Sequence, residues 1–292
     1  MPTPVTTSKS TARLQNPSIG RSSHEKVNYA KVKPMTFSRD IVSNLWFGRL
    51  KRPTRAAIRR LMPEHESTIL FGPLRGKTFR ATRYVRLGIY ERAIEELLLK
   101  HLKPGQVFFD IGANVGYFSL LAAQLSGPDG HIYSIDPAPN NVNAIRYNLD
   151  VNGIINYTLI EKAVSDKTGY AELALLDGTR ARLNTKESSG STITVQTTTL
   201  DDLYNYYIQP DVIKIDVEGA EALVLEGATE LLNNVQELKI IIEVHDEAND
   251  NRVQAILREA KYDIQAVSAL NKRRSGKYPH HIIAVRQIAE NV

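Results

Sequence analysis

From residue 107 onward the sequence predicts an α/β fold. The expected core is one doubly wound, mostly parallel sheet of seven strands, with an antiparallel last strand and helices on both faces. Three observations carry this expectation. Short apolar runs (VFFDI, HIYSI, DVIKIDV, LKIIIEVH) alternate with segments whose apolar residues recur at helical spacing. A helix between two such runs makes them parallel neighbours joined by a right-handed crossover. The chain closes on YDIQAV and HHIIAV with only a Lys/Arg-rich loop between them, so this last pair is expected to be antiparallel.

Residues 1–35 are rich in Ser, Thr, Pro, Lys and Arg and read as a disordered basic tail, because they hold too little apolar surface to offset ordering. Residues 36–88 form a basic adaptor. Within it, residues 40–62 place Ile41, Leu45, Trp46 and Phe47 among Lys and Arg, a pattern suited to a membrane surface or an acidic partner. Pro53 divides that stretch and favours two short helices packed on the body. STILFGPLRGKTFRATRYVR, residues 67–86, reads as a β-hairpin or lid around Gly72 and Gly76.

The main domain is expected over residues 89–292. It opens with GIYERAIEELLLKHLKPG, a helix by its Ile94, Leu97, Leu98 and Leu102 spacing that stops at Pro104-Gly105. Then follow strand VFFDI, helix YFSLLAAQL, strand HIYSI, helix PNNVNAIRYNLDVNG and strand NYTLIEKAV. GYAELALL and STITVQTTTL read as a β-ribbon around an exposed loop near 177–190. Strand DVIKIDV, helix GAEALVLEGATELLNN, strand LKIIIEVH and helix DNRVQAILREA lead to the closing hairpin. The whole is a Rossmann-like, methyltransferase-type arrangement.

Composition narrows the class. Hydrophobic content of 42% and charged content of 24% suit a soluble globular chain, and no apolar run approaches the roughly 20 residues of a membrane span. The N-terminal residues lack the apolar core of a secretory signal, so a cytoplasmic location is expected. There is no cysteine, which excludes disulfides, thiolate metal sites and cysteine nucleophiles. The net charge of +5 hides an asymmetry: residues 1–90 carry 18 Lys+Arg against 4 Asp+Glu (+14), and residues 91–292 carry 19 against 28 (−9). A basic arm on an acidic body can be a solvated tail, or can bind nucleic acid, anionic lipid or an acidic partner. Its basic residues have few aromatics among them, so no nucleic acid is expected.

The stretch VFFDIGANVGYFSLLAA, residues 107–123, carries the chemistry. A strand ends in Asp110, and Gly112 and Gly116 bracket the turn into a helix. In a doubly wound sheet this is where ligands bind. A dinucleotide site would place three glycines at G-x-G-x-x-G, but Asn114 stands at the middle one, which makes a poor pyrophosphate cradle. A phosphate-free cofactor such as S-adenosylmethionine fits better: it needs a carboxylate, a tight turn and an acid for its ribose hydroxyls. Asp136, in SIDPAPNN, ends the next strand 20 residues after Gly116 and supplies that acid. Each such charge-assisted bond contributes about 1.5–3 kcal/mol.

The sequence resembles the FkbM family of S-adenosylmethionine-dependent methyltransferases over about residues 68–286. The motifs are GPLRG, LGIYERA, FFDIGANVGYFSLLAA, IDPAPNNVNAIRYNL, AVSDKTG, TTTLDDL, DVIKIDVEGAEALVLEGA and IIEVH, in that order. The resemblance implies the fold, S-adenosylmethionine as cofactor and methylation of a hydroxyl oxygen. Carried over by position, Asp110, Gly112, Asn114 and Gly116 would line the methionine and ribose side, and Asp136 would hold the ribose. Ala163 and Val164 would flank the adenine, with Ser165 and Asp166 near its amino group.

Methyl transfer needs alignment of the acceptor oxygen and removal of its proton. The candidates close strands four and five: Asp216 and Glu218 in KIDVEG, Glu243 and His245 in IIEVH. Asp216 and His245 are expected as base and orienter in either order, the imidazole having the better ordinary pKa for a base near neutrality. Simpler roles compete: Glu218 as the cap of a helix starting at Gly219, and Glu243 as the partner of Lys214. These acids and the histidine also match an oxygen/nitrogen metal site, but no metal is expected, because the ligand pattern of catechol-type methyltransferases is not visible. Tyr90 and Glu91 are further candidates, on a helix that can fold over the cofactor. The expected acceptor is a small molecule or glycan: a hydroxyl of a sugar, lipid or secondary metabolite. The competing functions are a nucleic-acid methyltransferase and a non-catalytic binding protein on the same scaffold.

Overall fold

The computed structural model describes residues 66–80, 85, 90–175, 181–183, 192–267 and 279–286. The basic tail, the segment 40–62, most of the loop near 177–190 and the Lys/Arg-rich loop before the last strand lie outside the described residues.

Residues 66–80 form the expected hairpin: β1 (Glu66–Thr68) pairs antiparallel with β2 (Thr78–Arg80). It leads to α1 (Arg92–His101), β3 (Val107–Ile111), α2 (Tyr117–Ser126), β4 (His131–Ile135), α3 (Pro139–Asp150) and β5 (Tyr157–Ile160). The hairpin is held to α3: Asn148 Oδ1 accepts from Arg80 N at 2.8 Å and Asn152 Oδ1 from Thr78 N at 3.1 Å.

The second half holds β6 (Ala163–Val164), β7 (Gly169–Leu175), β8 (Ala181–Leu183), β9 (Thr192–Thr198), α4 (Leu200–Tyr206), β10 (Val212–Ile215), α5 (Glu221–Glu226), α6 (Thr229–Asn234), β11 (Lys239–Val244), α7 (Glu247–Glu259), β12 (Tyr262–Val267) and β13 (His280–Arg286). The main sheet runs β12-β13-β11-β10-β3-β4-β5. Its strands are parallel except β13, which lies antiparallel between β11 and β12. This is the expected seven-stranded Rossmann-like sheet. Order reverses between β3 and β10, and ligands of such sheets bind beyond the strand ends at that point.

The strands are apolar on both faces because helices cover both. Phe109, Ile213 and Ile242 face one core, with Leu225 and Leu257; Phe108, Val212 and Ile241 face the other, with Leu98 and Leu120. The alternation along each strand sorts these neighbours.

Three local expectations differ. NYTLIEKAV is not one strand: β5 joins the main sheet, and β6 turns away to pair with β9 in a four-stranded sheet ordered β6-β9-β7-β8. GAEALVLEGATELLNN is not one helix. It breaks at Gly227, where a Cβ would lie 2.2 Å from the Ser165 carbonyl oxygen. The backbone passes there only without a side chain, and the chain restarts as α6 with Asp201 accepting from Glu230 N and Leu231 N at 3.0 and 2.9 Å. STITVQTTTL ends earlier than expected. Thr199 caps α4, its hydroxyl accepting from Asp202 N at 3.0 Å.

Candidate active site

The switch point opens into a cleft between the ends of β3, β4 and β10. Gly112, Asn114, Asp136, Ala163, Val164, Asp216 and Glu218 line it. The turn after β3 is built for close approach. Gly112 has φ +72, and a Cβ there would sit 1.9 Å from the Asp216 backbone oxygen. The glycine therefore lets the end of β10 lie directly against the turn, which brings the Asp216 side chain to the cleft. Gly116 has φ +81, and a Cβ there would come within 3.1 Å of Ile145 on α3. Asn114 stands in the left-handed region at φ 52, a conformation that Asn tolerates better than most residues.

The turn and Asp136 fix one another. Asp136 Oδ2 accepts from Asn114 N at 2.9 Å; Oδ1 accepts from Ala138 N and Asn141 Nδ2, each at 3.0 Å. Burial pushes the Asp136 carboxyl up to about 6, against the lowering effect of these three bonds. Asn114 Oδ1 is buried without a hydrogen-bond partner. Ser165 and Asp166 lie just past the lining residues, with Ser165 Oγ donating to Asp166 Oδ1 at 3.0 Å.

Asp110 lies beneath the cleft, fully buried. Its Oδ2 accepts from Ser119 Oγ at 2.6 Å and its Oδ1 is 3.4 Å from Lys214 Nζ. Lys214 sits directly across from Asp110 in the β3–β10 register. The same ammonium reaches Asp216 Oδ2 at 3.4 Å and donates to the Gly112 carbonyl at 3.2 Å. Burial opposes its charge, but the Asp216 and Asp110 carboxylates outweigh it and hold the lysine protonated well above its ordinary range. Lys214 thus pairs with Asp110 and Asp216. Glu243 pairs instead with His281, its cross-strand neighbour on β13, at 3.6 Å. The register decides this: Lys214 lies opposite Ile241, two residues short of Glu243.

Beside Asp216 stands His245, the residue after β11. Its Nδ1 lies 2.9 Å from Glu221 Oε1, and its Nε2 lies 3.5 Å from Glu218 Oε2 and 3.9 Å from Asp216 Oδ1. Glu221 is fully buried at the start of α5 and also accepts from Gly219 N at 2.8 Å and from Asn249 Nδ2. Burial works against a charged imidazole, yet the hydrogen bond and charge of Glu221, then Asp216 and Glu243, raise His245 to about 9. At that value the ring is an imidazolium at neutral pH. Burial raises Asp216 to about 6 despite the opposing pull of Lys214. Glu243 is held below its usual range, because the bond to His281 and the surrounding cations outweigh its burial. Glu218, with φ 54, caps no helix: α5 begins three residues later and the Gly219 amide is taken by Glu221.

Glu91 precedes α1 with φ 31, and its carbonyl accepts from Ile94 N at 3.0 Å and Glu95 N at 3.2 Å. Tyr90 packs on Tyr117 and Phe118, with centroids 4.9 and 5.8 Å apart, and so docks this segment against α2. Burial, then the charges of Asp216 and Glu243, push the Glu91 carboxyl up to about 8.

Sequence reasoning missed Glu221, His281 and the Lys214 pairing. Glu221 had a signal in the Glu-Gly-Ala-Glu of VEGAE; His281 had none before the strand order was known.

Residues 110–264 match the family model described as the Methyltransferase FkbM domain. The chain belongs to the FkbM methyltransferase family. It is an S-adenosylmethionine-dependent methyltransferase. The hexuronic acid methyltransferase AglP of Haloferax volcanii is 26% identical over 186 residues, 62% of this chain and 73% of that protein. The 31-O-demethyl-FK506 methyltransferase FkbM of Streptomyces tacrolimicus is 36% identical over 83 residues, 26% of this chain and 31% of that protein. Among solved structures, the Precorrin-6y C5,15-methyltransferase from Geobacter metallireducens superposes with TM-score 0.47 at 17% identity, over 72% of this chain and 94% of that one. Among the described residues, no helix is long and apolar enough to cross a membrane.

Proposed function

We propose that the protein methylates a hydroxyl oxygen of a sugar or another small-molecule acceptor, with Asp216 taking the proton. The observation that carries this reading is the acid-rich end of the cleft: Asp216, Glu218, Glu221 and Glu243 surround His245, with Lys214 buried beneath. A carboxylate acceptor needs no base and is repelled by such a cluster; a hydroxyl needs a base and is not. The names of two relatives, a hexuronic acid methyltransferase and a 31-O-demethyl-FK506 methyltransferase, support a sugar or metabolite acceptor.

The cofactor fits the opposite end. Gly112, Asn114 and Gly116 form its turn, with the buried Asn114 Oδ1 short of a donor. Asp136 accepts the ribose hydroxyls, while Ala163 and Val164 flank the base, with Ser165 and Asp166 beyond them. Asp110 acts through Lys214, and Glu91 closes the α1 side. When bound, S-adenosylmethionine supplies an electrophilic methyl group on a sulfonium.

Asp216 is ionised at neutral pH and a stronger base than an ordinary carboxylate, because burial raises it to about 6. His245, locked by Glu221 through Nδ1, turns Nε2 toward Asp216 and Glu218 and donates from there to the acceptor oxygen. The hydroxyl loses its proton to Asp216 as its oxygen gains the methyl group.

The test uses radiolabelled cofactor with oligosaccharides that carry both free hydroxyls and uronic carboxyls, followed by mild alkali. The expected product is an alkali-stable methyl ether. A methyl ester lost in alkali would overturn the hydroxyl assignment.

A further inference from the structure

We propose that Asp216, Glu243 and His245 hold a divalent cation of the Mg²⁺ or Mn²⁺ type, beside the buried Glu91 carboxyl. The three residues come from the ends of β10 and β11, which lie side by side, and each offers one ligand atom within 4.8 Å of the others. Octahedral ligands about 2.1 Å from a metal stand about 3 Å apart when adjacent and about 4.2 Å apart when opposite. Small side-chain rotations therefore bring these atoms to a metal without moving the strands. Two carboxylate oxygens and one imidazole nitrogen, with no thiolate, select a hard or borderline cation that keeps several waters.

Two features set the cluster apart from a chance gathering of acids. His245 gives its Nδ1 to the fully buried Glu221, so Nε2 is the atom turned to Asp216 and Glu218, which line the cleft. Metal-ligating histidines are usually fixed through their second nitrogen in this way. Independently, Glu91 arrives from a separate segment before α1, and its Oε2 is buried with no hydrogen-bond partner. The charges acting on it most strongly are Asp216 and Glu243. This buried oxygen has no donor in the protein, and a cation held by the neighbouring carboxylates would offset the charge there.

Lys214 does not fill that need. Its ammonium is engaged with Asp216 Oδ2, Asp110 and the Gly112 carbonyl, and leaves Asp216 Oδ1 facing His245. His281 meets Glu243 through Oε2. Asp216 Oδ1, the second Glu243 oxygen and His245 Nε2 are thus the ligands, and waters complete the shell. Taken with the hydroxyl reading above, the cation binds the acceptor oxygen and lowers its pKa, replacing the imidazolium as the group that holds this oxygen against Asp216.

Electron paramagnetic resonance of Mn²⁺ titrated into the full chain, stripped with chelator, tests the site. One bound Mn²⁺ per chain, competed by Mg²⁺, is expected. Glu243→Gln should weaken it at least about tenfold, with the circular dichroism and S-adenosylmethionine affinity of the parent; Asp216→Asn is the second variant if that one does not fold. Absence of stoichiometric Mn²⁺ binding to the parent chain, or equal binding to a folded variant, overturns the site. Methyl ether formation at full rate in excess chelator overturns it too, and leaves the hydroxyl reading standing. Stoichiometric Mn²⁺ with an alkali-labile product keeps the site and removes that reading.

Discussion

Glu221→Gln separates the two halves of the His245 account. The imidazole is raised from 6.5 to about 9, a difference of about 3 kcal/mol at 1.36 kcal/mol per pH unit. Glu221 is the largest raising influence, through both its hydrogen bond and its charge. A carboxylate at this range shifts a partner by about 1–3 pH units, so the neutral amide should lower His245 by about 1–2. The remaining elevation comes from Asp216 and Glu243. Because the folded pKa is raised, this imidazole contributes stability that is complete below 6.5 and is lost as pH rises through about 9. The variant should lose less stability over that window. It should also be weaker throughout by about 1–3 kcal/mol, since the Gln amide nitrogen would confront the Asn249 amide that Glu221 now accepts from. The assay is NMR titration of the His245 ring in chelator-treated protein, with denaturant melts at both ends of the window. A His245 pKa within a few tenths of the parent value, in a folded variant, would refute the reasoning.

Asp136→Ala should weaken S-adenosylmethionine binding by about 10–100-fold, the loss of about 1.5–3 kcal/mol, with a calorimetric titration as the check. In the parent chain the same affinity should be flat above pH 6 and fall as pH drops through about 6, because ribose hydroxyls need the ionised Asp136; constant affinity down to pH 5 would contradict it. Gly112→Ala forces a Cβ to 1.9 Å from a backbone oxygen at φ +72, so thermal melts should show a loss beyond the roughly 1–2 kcal/mol of left-handed strain alone. Lys214→Met leaves Asp110 fully buried without its cation and should cost about 3–5 kcal/mol; adding Asp110→Asn should recover part of the lost melting temperature.

The sheet was legible because its strands are apolar on both faces and separated by helices, a pattern that only a covered parallel sheet satisfies. That Asp136, Gly112 and Asp216 line the cleft was legible because strand ends at a switch point meet there. What escaped the sequence depends on register and on backbone contacts. A Lys214–Glu243 pair stayed open as a simpler role because spacing along the chain does not say which residue lies across the sheet; Lys214 lies across from Asp110. The helix break at Gly227 reflects a carbonyl from Ser165, a residue 62 positions earlier. The sequence left Asp216 and His245 as base and orienter in either order; the pull of the buried Glu221 on His245 depends on tertiary contact and was not readable. Thr199 was the one readable miss: a threonine followed by Leu-Asp-Asp is a helix start.

The most direct test of the central claim is a crystal structure with S-adenosylhomocysteine bound. The account predicts ribose hydroxyls within hydrogen-bond distance of Asp136 and the thioether sulfur facing Asp216 and His245. A nucleoside bound away from Asp136, or a sulfur turned from Asp216, would contradict it.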